Sequence, residues 1–207
     1  LSGAEVAYLT GQTVHQKTGR ELVRMVLARE KENRVALTLL LDDYLASGEW
    51  PLAVTLADQL VALDGSTESR LRLARALLGS GSVPRAVSQT SALYAANPAN
   101  ESVVSLHLRA LVASGNLEGA RIVISERMPS AASSLKSTLH YYESRLLSDQ
   151  DAQLSSLRSS LLADPRNDLA LFAMYEWYFE RSDYRKAQYY LKQVIALDPM
   201  NRRYSRL

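Results

Sequence analysis

The clearest candidates for binding chemistry in the sequence are two arginines, Arg75 and Arg109. A guanidinium group makes paired, charge-assisted hydrogen bonds with a carboxylate, so two neighbouring arginines suit an acidic side chain or a terminal carboxylate. Arg72 lies one helical turn before Arg75. The two arginines belong to a series with a spacing of 33 or 34 residues, which runs Asp42, Arg75, Arg109, Tyr142, Glu176. The series forms a row only if the chain folds into helical repeats of that length.

Apolar residues accompany this series at helical spacing, on the same side of each predicted helix. They are Leu78, Val112, Phe172 and Phe179. We therefore predict a groove with an arginine patch in its middle and apolar pockets beside it, suited to an extended or helical peptide. A second interpretation stays open, in which Asp42 pairs with Arg75 and the row is only a solvated face.

The sequence contains no recognisable catalytic arrangement. His15, His107 and His140 are scattered, and there is no His-x-x-x-His pair, nucleophile elbow or phosphate loop. We expect His107 to be packed in the protein rather than to bind a ligand. The acidic pairs 42–43 and 149/151 are expected to be solvated or to cap helices. The sequence predicts no enzyme, no catalytic residue, no metal site and no cofactor.

The elements that must position the arginine row are marked by recurring turns. Glycine occurs at Gly48, Gly81 and Gly115, and Ser182 follows two periods later. Glycine can end a helix in the left-handed conformation without a Cβ penalty. Each turn is followed five residues later by an alanine, which lets two helices approach closely: Ala53, Ala86, Ala120 and Ala187. The intermediate turn, 148–151, is in register but has no glycine, and Gln153 replaces the alanine.

The clearest unit is the stretch 167–201, which reads as two amphipathic helices around a turn at 181–183. Proline ends its second helix at 198–199, as proline also does at 97–98 and 164–165. Prolines Pro51 and Pro84 fall in the first turn of a second helix, where a missing N–H costs nothing. Such a helix pair cannot bury its apolar faces alone and needs similar neighbours.

These residues resemble the tetratricopeptide repeat (TPR) family, whose unit is a 34-residue helix–turn–helix. The resemblance covers about 33–201 and implies an all-α, right-handed α–α superhelix, a solenoid of helix pairs at 33–66, 67–99, 100–132, 133–166 and 167–201. Residues 1–32 are expected to form a degenerate repeat or packing helices, with helices at 4–9 and 21–30. Residues 202–207 are expected to begin a C-terminal capping helix that the chain does not complete. Such missing helices are the expected cover for Trp177 and Tyr189.

The composition limits the possible partners. The chain has 207 residues, of which 47% are hydrophobic, and 24 basic residues against 22 acidic ones. This balance argues against a general electrostatic nucleic-acid binder. There is no cysteine, and no apolar run is long enough to span a membrane. We expect a soluble protein of the cytoplasm or periplasm, from a bacterial source. The chain starts at Leu1, so any N-terminal signal or anchor is expected to be absent from it. Its oligomeric state stays open.

The sequence therefore predicts a non-catalytic scaffold or adaptor that binds a protein or peptide in its concave groove. Two alternatives stay open: a docking or regulatory region of a larger enzyme or assembly, and a nucleic-acid-binding helical repeat. Some TPR proteins hold a peptide's terminal carboxylates with lysines and asparagines. Here the matching positions are Thr38, Asp42, Glu68, Arg72 and Leu106, so a receptor of the Hsp70- or Hsp90-tail kind is not predicted.

Overall fold

The computed structural model describes residues 18–197, and these residues form eleven α-helices. The chain divides into two compact units, Leu1–Ser114 and Gly115–Leu207. The helices of the first unit are α1 (Gly19–Arg29), α2 (Arg34–Ser47), α3 (Trp50–Asp64), α4 (Thr67–Gly79), α5 (Val83–Ala96) and α6 (Glu101–Ala113). Those of the second unit are α7 (Leu117–Arg127), α8 (Ser133–Leu146), α9 (Gln150–Ala163), α10 (Asp168–Glu180) and α11 (Tyr184–Leu197), with a 3₁₀ turn at Met128–Ser130. No strand occurs between residues 18 and 197, and the predicted all-α fold class is confirmed.

Within each unit, helices that follow one another pack together. In the first unit α2 packs against α3, α3 against α4, α4 against α5 and α5 against α6, while α4 and α6 also meet directly. In the second unit α8 packs against α9, and α10 against α11. The boundary between the units falls between α6 and α7, which the sequence assigns to one helix pair, 100–132. The repeat boundaries themselves stay a prediction.

The turns between paired helices follow the predicted backbone chemistry. Gly48, Gly81 and Gly115 have φ values of 75°, 77° and 76°, which is the left-handed region. Ser182 is the non-glycine residue that takes this conformation among the described residues, at φ 60°. Pro51 lies in the first turn of α3. The turns therefore end one helix and begin the next after only two or three residues.

The first helices of the pairs begin at side chains that accept a hydrogen bond from a free backbone N–H. Asn33, Ser66, Asn100 and Asn167 cap α2, α4, α6 and α10 in this way. At the head of α8 the cap residue is Ala132, which makes no such bond. These local caps fix where each first helix starts.

The alanines that follow the turns are buried. Ala53, Ala86 and Ala120 are fully buried and Ala187 is 2% exposed, as the sequence predicts. Gln153, at the corresponding position of α9, instead donates a hydrogen bond from its Nε2 to the carbonyl of Leu147, 2.7 Å away. The amide thus satisfies a carbonyl just beyond the end of α8, in the turn that lacks a glycine.

Several expectations concern the ends of the chain. The helix expected at 21–30 is present as α1, which begins with a capping box between Thr18 and Glu21. The helix expected at 4–9, the proline at 199 and the start of a helix at 202–207 lie outside the described residues. No helix in the described part of the chain combines the length and the apolar character that crossing a membrane requires.

Candidate protein-interaction surface

Asp42, the first residue of the predicted row, lies on α2 in unit 1. Its carboxylate accepts two hydrogen bonds from Arg72 on α4, at 2.9 Å from Nε and 3.3 Å from Nη2. The hydrogen bond to Asp42 raises the pKa of Arg72. Asp42 thus pairs with Arg72 and not with Arg75, the partner considered from the sequence. Both members of this pair are therefore less available to a ligand than the row predicts.

Arg75 and Arg109 differ from Arg72 in having no ion pair. Both are exposed, on α4 and α6, and neither forms a hydrogen bond or salt bridge with any residue in 18–197. Leu78 and Val112, one helical turn further on, are half-buried. We name the surface formed by these four residues the unit 1 arginine face. It combines unpaired cations with apolar area, the two features expected of a surface for an acidic peptide.

The two predicted site residues in the middle of unit 2 behave differently from each other. Tyr142 is only 5% exposed, so the expectation that it contacts a partner is corrected: its ring is part of the protein interior. Glu176 is exposed and lines a cleft of about 270 Å³. The other residues lining this cleft include Arg145, Gln153, Trp177 and Glu180.

The two predicted phenylalanines lie on one side of α10. Phe172 is half-buried, while Phe179 is 51% exposed and meets the ring of Tyr184 on α11, with 5.6 Å between centroids. Phe179 therefore lies beside the groove between α10 and α11. Glu176, on the same helix, instead lines the cleft that also contains Arg145 of α8. The sequence register placed Phe179 and Glu176 on one face, whereas in the structure Phe179 lines the groove and Glu176 lines the cleft.

Two of the residues considered for catalysis, His107 and Asp149, have structural roles, while His15 lies outside the described residues. His107 is 6% exposed; its Nδ1 lies 3.1 Å from the hydroxyl of Thr90, and its ring stacks on Tyr94 at 5.0 Å. Burial lowers the pKa of His107, so the imidazole stays neutral at physiological pH. Asp149 caps α9. Within residues 18–197 no group of His, Cys, Asp or Glu is arranged to hold a metal ion.

Sequence reasoning missed how Trp177 is covered. The guanidinium of Arg181 lies over the Trp177 ring, 3.7 Å from its centroid, and also donates a 2.8 Å hydrogen bond to the carbonyl of Trp177. The spacing of four residues within one helix was the available signal. Tyr189, by contrast, is 61% exposed. Trp177 is therefore partly covered within the described chain, whereas Tyr189 is not.

The carboxylate of Asp64, the last residue of α3, predicts that the free energy of unfolding depends on pH. Asp64 accepts a 2.9 Å hydrogen bond from the backbone N–H of Ser66, and also pairs with Arg34. Chiefly through the Ser66 N–H, these contacts lower the pKa of Asp64 to about 2, from 3.8. The folded state then binds this proton less readily than the unfolded state, so stability is present above pH 3.8 and is lost as the pH falls towards 2.

The free energy of unfolding should be lower at pH 3 than at pH 6. We expect this loss to be about 1 kcal/mol smaller in Asp64→Asn than in the unmodified chain. Urea unfolding at both pH values measures the difference. Glu32→Gln removes an exposed carboxylate of the same unit and is the control. An equal pH dependence in Asp64→Asn and the unmodified chain would show that Asp64 is not held ionised.

Short turns with a left-handed residue, each followed five residues later by a buried alanine, give this chain an all-α fold of the TPR type. The solved structure of TTC0263, a TPR protein of Thermus thermophilus, matches with a TM-score of 0.65 at 20% identity, over 84% of this chain and 97% of that one. MamA of Desulfovibrio magneticus (residues 41 to the end) matches with 0.53 at 13% identity, over 82% and 97%. YrrB, a TPR protein described as having an unusual peptide-binding site, matches with 0.50 at 14% identity, over 90% and 97%.

These similarities confirm the predicted fold class, the TPR-like solenoid. At sequence identities of 20% or less they show a shared fold and not a shared ligand. No protein-family model matches the sequence, and no curated protein matches it either. The choice of partner must therefore be argued from the residues themselves.

Proposed function

We propose that the chain is a non-catalytic protein-interaction module that binds an acidic peptide segment of a partner protein on its unit 1 arginine face. The observation that carries this proposal is that Arg75 and Arg109 are exposed and unpaired, while Arg72, on the same helix as Arg75, is paired with Asp42 of α2. An aspartate, a glutamate or a terminal carboxylate would supply the acceptor that the two arginines lack. The TPR fold supports the general class, since YrrB is described as binding a peptide.

The half-buried side chains beside the arginines supply the rest of the contact. Leu78 packs on the core while keeping part of its surface accessible, and Val112 occupies the equivalent place on α6. A peptide lying across α4 and α6 would cover both residues and bring its carboxylate to Arg75 and Arg109. Apolar area provides the affinity and the charge pair fixes the register of the bound segment.

The test is an affinity pull-down from an extract of the source organism, with the 207-residue chain and its Arg75→Ala/Arg109→Ala variant side by side. We expect the double variant to retain at least ten-fold less of the partner, because charge-assisted hydrogen bonds contribute roughly 1.5–3 kcal/mol each. We also expect retention to weaken as salt is raised from 50 mM to 500 mM.

Arg29→Ala/Lys31→Ala is the matched control, because it removes two exposed cations from the same unit outside the face. The extract is treated with nuclease, so that a partner held through nucleic acid is lost in every sample. Equal retention by the unmodified chain and the Arg75/Arg109 variant would refute binding at this face.

A further inference from the structure

The last described helix pair, α10 and α11, has an open groove on its surface. The groove encloses about 440 Å³ and is lined by Tyr175, Phe179, Tyr184, Arg185, Ala187, Gln188 and Leu191. Phe179 is 51% exposed and Tyr184 60% exposed. Large aromatic side chains exposed next to one another on a soluble surface are typical of interaction sites.

The aromatic rings form a continuous row along this groove. Ring centroids are 5.5 Å apart from Phe172 to Tyr175, 5.6 Å from Tyr175 to Phe179 and 5.6 Å from Phe179 to Tyr184. The first three of these residues occur at helical spacing on α10 and therefore share one side of it. The row is long enough to contact an apolar stripe on another helix.

Unit 1 shows what covers the same positions in an earlier repeat. The residues of α4 that correspond to the three aromatic residues of α10 are Leu71, Ala74 and Leu78. They form one cluster with Val103 and Leu106 of α6, and Leu71 and Ala74 are at most 2% exposed. Thr90, which corresponds to Leu191 in the groove, contacts His107 of α6. In this fold the natural occupant of the groove is thus an α-helix with apolar residues at helical spacing.

The charge at the groove decides which kind of helix fits. Arg185 is the charged residue among those that line the groove, and α11, which contributes it, contains no acidic residue. The acidic residues of α10, Asp168, Glu176 and Glu180, are not among the lining residues. Lys186 is paired with Asp183, 2.8 Å away. Arg185 lines the groove and has no hydrogen bond or ion pair with a described residue. An occupant with glutamate or aspartate beside its apolar stripe would complement this rim.

We propose that the groove between α10 and α11 binds an acidic amphipathic α-helix of a partner protein, in the way that α6 packs on α4 and α5. The aromatic row receives the apolar stripe of the partner helix, and Arg185 pairs with one of its carboxylates. This site is distinct in residues and unit from the unit 1 arginine face.

The test uses the full 207-residue chain and a fluorescent peptide with the sequence of α6, residues 101–113, held helical by a staple and with its exposed positions changed to glutamate. A peptide with lysine at those positions is the charge control. We expect the acidic peptide to bind at least ten-fold more tightly than the basic one, as measured by fluorescence anisotropy. We also expect Arg185→Glu and Phe179→Asp each to weaken its binding at least ten-fold.

Two variants separate this site from other surfaces. Lys136→Glu reverses an exposed charge elsewhere in unit 2 and should not change the affinity of the acidic peptide. Repeating the titrations in the Arg75→Ala/Arg109→Ala background removes any binding at the unit 1 arginine face, and the losses caused by Arg185→Glu and Phe179→Asp should persist there. Tyr184→Asp replaces Phe179→Asp if circular dichroism shows that the latter is unfolded. No binding of the acidic peptide, equal binding of the basic one, or full binding to Arg185→Glu would overturn the proposal. A concentration-dependent dimer abolished by Phe179→Asp would also overturn it, since the occupant would be a second copy.

Discussion

Replacing Gly79 by alanine is expected to lower the free energy of unfolding by about 2–3 kcal/mol, although alanine is normally the better helix former. The indole of Trp50, the first residue of α3, lies directly against Gly79 at the end of α4. A Cβ at Gly79 would be 2.3 Å from Trp50 Cε3 and 2.5 Å from Cδ2. The half-buried indole would have to shift to make room for the added methyl group, and that rearrangement is the source of the cost. The loss should appear as a lower urea midpoint.

A double-mutant cycle isolates this contact. In the Trp50→Ala background the obstructing ring is absent, so adding alanine at position 79 should cost nothing or stabilise slightly, by up to about 1 kcal/mol. The coupling between the two positions would then account for nearly the whole effect. The same loss in both backgrounds would mean that Gly79 is required for its backbone and not for the space it leaves.

Replacing Asn167 by alanine is expected to cost about 2–3 kcal/mol, because this side chain caps a helix and also joins a buried polar network. Its Oδ1 accepts a 3.0 Å hydrogen bond from the N–H of Ala170, and its Nδ2 donates a 2.8 Å bond to the hydroxyl of Ser137. Ser137 and Ser160 are fully buried and lie 3.0 Å apart, oxygen to oxygen. Ser160 in turn donates to the carbonyl of Ser137. Without Asn167, the Ser137 hydroxyl loses a hydrogen-bond donor that water cannot replace.

Two comparisons divide that cost into its parts. Asn167→Ser keeps a capping oxygen but is too short to reach Ser137, so it should lose only the network contribution, about 1–2 kcal/mol. Asn100→Ala removes the equivalent cap of α6, where the side chain is exposed, and should cost about 1 kcal/mol. Urea unfolding at neutral pH measures all three variants. If Asn167→Ala costs no more than Asn100→Ala, the network adds nothing to stability.

The sequence by itself determined the helices and where they end. Gly48, Gly81, Pro51 and Pro84 act on their own backbone, so their effect can be read without knowing any neighbour. The buried alanines were also predictable, because their spacing from each turn is constant. For the same reason the sequence indicated which positions of α4 and α6 face outwards, and Arg75 and Arg109 are exposed. Their role in binding remains our proposal.

Only the tertiary structure decided which side chains meet. Arg72 and Arg75 differ by one helical turn, about 5 Å along the axis, and the repeat period cannot tell which of them reaches Asp42 on the neighbouring helix. The axial offset of α2 and α4 makes that choice, and Arg72 forms the pair. Tyr142 is buried for a similar reason: a register gives a position along a helix but not the rotation of that helix within its unit.

The division of the chain into two compact units could not be predicted from the repeat pattern of the sequence either. A repeat with constant spacing predicts one uniform stack, whereas the structure separates the chain at Ser114 and Gly115 into two compact units. Phe179 and its counterpart Leu78 on α4 show the difference: Leu78 packs in a cluster with residues of α6, whereas Phe179 is 51% exposed beside the groove between α10 and α11. Local chemistry thus set each helix pair, and packing between helices decided which of its faces remained available for a partner.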